Sequence, residues 1–108
     1  MVKVVYVYNL KEGVDYKEFE TYYFEKRIAE VKKIPNLRRF CFSIATGDEI
    51  SPYRYMAECY FTDLKTARAT LESKYFKDVH GYIAPRLKDM NVMFYETHEW
   101  ALNQQSAP

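Results

Sequence analysis

VYVYNL, residues 5–10, alternates valine with tyrosine before closing on Asn9 and Leu10. β-Branched and aromatic residues at a period of two give an extended strand whose side chains leave by alternate faces. The pattern reaches back through Val2–Val4, so residues 2–9 read as one strand. Val5 and Val7 point one way, and Val4, Tyr6 and Tyr8 point the other. Neither set is polar, which places the strand in a sheet covered on both sides.

Outward from this strand, LKEG turns the chain and VDYKEF opens a helix. Asp15 is placed to cap it, Glu18 completes a capping box, and Val14 and Phe19 hold the hydrophobic-staple positions. The helix is expected to run to about Lys33 and to stop before Pro35. LRRFCFSIA (37–45) and YRYMAECYF (53–61) read as strands around a TGDEISP loop. Thr62 or Asp63 then caps a helix carrying Leu64, Ala67, Ala69 and Leu71. YFKDVHGYIAPRLKD continues helical, bent near Gly81 and Pro85, and NVMFYETHEW (91–100) is the last strand. Residues 1–100 form one domain on this reading, and ALNQQSAP (101–108) is a loose tail.

The order is β-α-β-β-α-β, the ferredoxin-like plan of an α+β fold with a four-stranded antiparallel sheet. A hairpin centred near Glu49–Ile50 sets Cys41 opposite Cys59. Such a pair reads either as redox-sensitive or, with more weight, as two reduced thiols serving as small hydrophobes. With His80 and His98 the only histidines and no CxxC, no zinc spacing is present, and no metal is expected. No apolar run approaches membrane-spanning length and no signal-peptide pattern opens the chain, so a cytoplasmic protein with no membrane partner is expected.

Two partners could cover the second sheet face: RNA bases or another copy of the chain. VYVYNL resembles the first-strand motif of RNA-recognition domains, whose companion motif belongs on the third strand. There, however, Tyr55 stands in place of glycine, and Met56 and Glu58 stand in place of the stacking aromatics. Sixteen basic residues against fifteen acidic ones give a net charge of only +1, a poor basis for phosphate binding. Nucleic acid is therefore disfavoured. Aromatics at 18% with eleven tyrosines suit polar but buried contact surfaces.

EFETYYFEKRIAEVKKIPNLRRF (18–40) and PYRYMAECYFTDLKTARATLES (52–73) together resemble EthD-like proteins of the dimeric α+β barrel superfamily. The resemblance implies a homodimer joined through the open sheet faces and a small-molecule cavity between sheet and helices. It also implies an aromatic or polyketide-like ligand and, where activity exists, cofactor-free oxygenase, isomerase or cyclase chemistry. No cofactor is expected. A non-catalytic structural or ligand-sensing dimer is the alternative reading, with a single-stranded RNA module behind it.

A regular helix over this segment gathers Tyr16, Phe19, Tyr23, Phe24, Val31 and Ile34 into one apolar arc, with Arg27 near its centre and Glu20 and Glu30 on the same side. Arg27 either pairs with Glu20 or Glu30 at the rim of the core, or forks onto a carboxylate or enolate oxygen of a ligand. The helical histidine of EthD-like sequences aligns with Arg27. An arginine stays protonated and cannot shuttle a proton near neutrality, which leaves it anion binding. Tyr23, Arg27, Glu58 and His98 are the ligand-binding candidates. Glu58 reads equally as a pocket acid or a paired interface charge. His98 shares a strand face with Glu96, an arrangement that either tunes a base or leaves a strand-end histidine exposed. His80 is expected on a helix surface without chemistry. Lys26, Lys32, Lys33, Arg38 and Arg39 read as a solvated basic face balanced by Glu25 and Glu30.

Overall fold

β1 (Val2–Leu10) occupies the interior of the sheet, between β3 (Tyr55–Phe61) and β4 (Leu87–Glu96). β2 (Arg39–Ile44) pairs with the other side of β3, giving the order β2-β3-β1-β4 with every neighbour antiparallel. The computed structural model describes residues 1–47 and 51–102. The ferredoxin-like order of elements is as expected from the sequence. The expected barrel is not: among the described residues β2 and β4 are separate edges, and the sheet stays open. Closure requires the outer strands to pair, and four twisted strands are too few to wrap around a core.

The chain enters its first helix through Asp15, whose Oδ1 accepts the Glu18 N–H at 2.9 Å, as the capping reading requires. α1 (Tyr16–Tyr22) does not continue regularly. It widens into a π-helical turn over Tyr23–Arg27 before α2 (Ile28–Val31) resumes the tighter winding. The wide turn changes the facing predicted by regular spacing. Tyr23 and Arg27 turn inward, while Phe24 and Tyr16 face solvent. α3 (Leu64–Glu72) is capped by Asp63, and α4 (Lys74–Ile83) by Ser73, whose extended backbone separates the two helices. α4 runs straight through Gly81 and yields to a 3-10 turn, Ala84–Arg86, at Pro85.

β4 starts at Leu87 rather than at residue 91 and ends at Glu96, so His98 and Trp100 lie beyond it. A register shift between Val7 and Asn9 of β1 faces Asp89, whose φ of 58° lies in the left-handed region. This bulge joins Leu87 to Leu10 at one end while keeping Val92 opposite Tyr6 further along. The helices cover the face carrying Val4, Tyr6, Tyr8, Ala57 and Phe61. β1 is nevertheless buried on its other face as well: Val5 and Val7 are only 6% and 8% exposed between neighbouring strands.

The β2–β3 register sets Cys41 opposite Glu58, and Cys59 opposite Phe40. The sequence reading was one residue out, and one residue reverses the face. Cys59 is buried under the helices, whereas Cys41 belongs to the open face. The turn residues 48–50 that bear on this register lie outside the described residues, as does the expected tail from 103 onward. Among the described residues, no helix is long and apolar enough to cross a membrane.

With the sheet between them, the two thiols cannot bridge within one chain. Intact-mass measurement after mild oxidation is expected to show no intramolecular disulfide, and a two-dalton loss in monomeric protein would contradict the register.

Candidate functional site

The π turn delivers Arg27 to the underside of the helices, where it is 7% exposed. One terminal N–H donates to the carbonyl of Val79 on α4. Its Nε is buried and has no hydrogen-bond partner. The carboxylates expected to pair with it are engaged elsewhere. Glu20 accepts from the Tyr55 hydroxyl at 2.6 Å and from Arg54 at 3.1 Å. Glu30 accepts from the Tyr75 hydroxyl at 3.3 Å. Among the described residues Arg27 has no ion-pair partner, so a full positive charge sits in the core without compensation.

Two spaces meet at this side chain. On the inner side is a closed void of about 30 Å³, lined by Arg27, Tyr6, Tyr8, Tyr23, Cys59 and His80 among apolar neighbours. That is the space one water takes up in the liquid, not room for an organic molecule. The implied cavity between sheet and helices is therefore filled with side chains: Tyr23, for instance, stacks on Phe42 with ring centroids 3.8 Å apart. On the outer side a cleft of about 470 Å³ opens between α1–α2 and α4. Tyr22, Tyr75 and Tyr82 supply its aromatic walls, Lys26, Glu30 and Asp78 its charges, and Arg27 its floor. Tyr22 and Tyr82 stack with centroids 5.2 Å apart.

The groups around the void are held neutral. Burial raises the phenols of Tyr6, Tyr8 and Tyr23, against the opposing pull of Arg27, and pushes the Cys59 thiol up to about 12. His80 is lowered, first by burial and then by the Arg27 charge. A lone cation among neutral donors can stabilise negative charge on an oxygen brought to it, and an unprotonated imidazole can accept a proton.

The four sequence candidates divide between the two faces of the sheet. Tyr23 and Arg27 meet under the helices. Glu58 and His98 line a groove of about 500 Å³ on the open face, with Lys3, Val5, Met56 and Met93. Glu58 is there a paired charge, receiving Lys3 Nζ at 2.9 Å and the Tyr60 hydroxyl at 3.3 Å. His98 contacts Glu96 at 2.9 Å and is exposed, as the plainer reading holds. Tyr6, Tyr8, Cys59 and His80 were not among the candidates. His80 was expected at the surface, yet its ring packs against Tyr6 and Phe76 at 5.7 and 6.0 Å. The signal was present: Phe76, His80 and Ile83 follow the four-and-three spacing of one helix face. Among the described residues, no group of three or more histidine, cysteine or acidic side chains is arranged to hold a metal.

The family model described as HapK, REDY-like protein HapK, matches residues 2–98. An EthD-family protein of Bacillus halodurans superposes with a TM-score of 0.77 at 23% identity, over 91% of this chain and 99% of that one. HapK of Hahella chejuensis does so with a TM-score of 0.75 at 18% identity, over 95% and 100%. A dimeric ferredoxin-like protein from Thermobifida fusca gives 0.69 at 16%, over 89% and 90%. No curated protein matches the chain significantly.

Replacing the uncompensated charge by a side chain of similar length removes its desolvation cost. Arg27→Met is expected to raise unfolding stability by about 1–2 kcal/mol in a denaturant titration. A marked loss would show that the charge is satisfied in the fold. His80 takes up its proton near 6.5 when unfolded but resists it in the fold. Stability should therefore be full above neutrality and decline as pH falls through 6.5, and His80→Asn should flatten that part of the profile.

Proposed function

The chain belongs to the HapK family of REDY-like proteins, related to EthD proteins, and from that premise we propose that it is a homodimer binding a small aromatic or polyketide-like molecule with an ionised carboxyl or enol oxygen. The observation carrying this reading is Arg27: a buried, unpaired guanidinium at the floor of an aromatic-walled cleft. The cleft has the size of a small-ligand site, whereas the inner void does not. The ligand's ring system rests between Tyr22, Tyr75 and Tyr82, and its oxyanion reaches Arg27. Tyr23 contributes from below by holding the guanidinium, which lies 5.8 Å from its ring centroid.

Where the ligand is enolisable, the same contact lowers the energy of its enolate, the step that cofactor-free oxygenation, isomerisation and cyclisation have in common. Arg27 supplies the charge and keeps its own proton.

The homodimer forms through the open sheet face, where Val5, Val7, Met56 and Met93 are otherwise uncovered by a second layer. Glu58, paired with Lys3, and His98 belong to this surface in the proposal. The dimeric state of the Thermobifida fusca protein with the same fold supports this part of the reading.

Calorimetric titration with 1-hydroxy-2-naphthoate, and with 2-methoxynaphthalene as a neutral control, tests the ligand reading. The naphthoate is expected to bind and the control to bind at least tenfold more weakly. Arg27→Met should lose about tenfold in naphthoate affinity, the scale of one charged hydrogen bond, with Arg27→Lys intermediate because a point charge replaces the fork. Equal binding by wild type and Arg27→Met would overturn the assignment.

A further inference from the structure

The void on the inner side of Arg27 is closed by donors. Arg27 Nε–H has no acceptor, and the hydroxyl of Tyr8, a residue 2% exposed, has no partner either. Both groups line the same space of about 30 Å³. The arginine is a permanent cation. A counter-charge from within the fold would have to come from Tyr6, Tyr8, Tyr23 or Cys59, and burial keeps each of these protonated. Glu20 and Glu30 are turned to Arg54, Tyr55 and Tyr75. A water in the void would accept one N–H and leave the charge where it is. An anion of one atom would accept both donors and cancel the charge.

We infer that this void is a binding site for a single monatomic anion of halide size, held by Arg27 Nε–H and Tyr8 Oη–H. The inference goes beyond the organic-ligand reading and does not rest on it. Arg27 forms the wall between the void and the outer cleft, so the ion exchanges past its side chain without unfolding of the sheet. Because both sites share one guanidinium, halide and an anionic organic ligand compete.

Thermal unfolding of the full chain in sodium chloride, sodium bromide and sodium gluconate at matched ionic strength tests the site, since gluconate is too large to enter. The midpoint is expected to climb by several degrees with halide along a saturating curve, and to stay level in gluconate. Arg27→Met should lose the halide increment entirely. Tyr8→Phe, which removes only an unpartnered hydroxyl, should fold and shift the curve to higher halide concentration. Crystals grown in sodium bromide should show an anomalous peak between Arg27 Nε and Tyr8 Oη. Equal midpoints in the three salts, a halide increment that persists in Arg27→Met, or water alone in the void of bromide crystals would overturn the assignment. Failure of naphthoate binding with the halide response intact would remove the organic-ligand reading and leave this one standing.

Discussion

β1 is the constraint from which the remaining architecture follows. It is apolar on both faces, pairs along both edges, and brings no charged side chain except Lys3 into the sheet. A strand of that composition is stable only in an interior position, with a hydrogen-bonded neighbour on each side. β3 and β4 provide those neighbours, and the crossover helices then have one covered face on which to pack. Tyr6 and Tyr8 extend from this same strand into the polar void, so the element that organises the sheet also supplies part of the site.

The site is built at a cost to stability. Elsewhere the buried charges are matched: Glu20 with Arg54 and Tyr55, Glu58 with Lys3 and Tyr60. Arg27 alone among these is satisfied only in part, by a backbone carbonyl. Proteins commonly concentrate such unfavourable arrangements where binding requires them, because a charge already cancelled within the fold has little left to offer a ligand. The neutral phenols and thiol around it keep its field intact.

What the sequence disclosed was local, and what it concealed was long-range. The Asp15 cap, the strand alternations and the position of Arg27 on an inward face all depend on residues within a few positions of one another. The π turn depends on packing against the sheet and α4, so regular spacing put Phe24 on the wrong side. Glu20 could be placed near Arg27, but its actual partners lie 34 and 35 residues away. The β2–β3 register hung on a turn whose centre had to be guessed, and a single residue sent Cys41 to the opposite face. Cavity size is a sum over many side-chain positions, and no pattern of residue types reveals that the space under the helices is filled.

The widened turn at Tyr23–Arg27 has a consequence for how this chain can vary over evolutionary time. Each residue added to or removed from a helix rotates everything downstream by about 100°. Losing one residue here would restore an ordinary helix, but it would swing Val31 and Ile34 out of the packed interior and carry the guanidinium away from Val79. Length changes in this segment are consequently phase-locked. Descendants can exchange its side chains freely at the surface, yet they can alter its residue count only by rebuilding the layer beneath it.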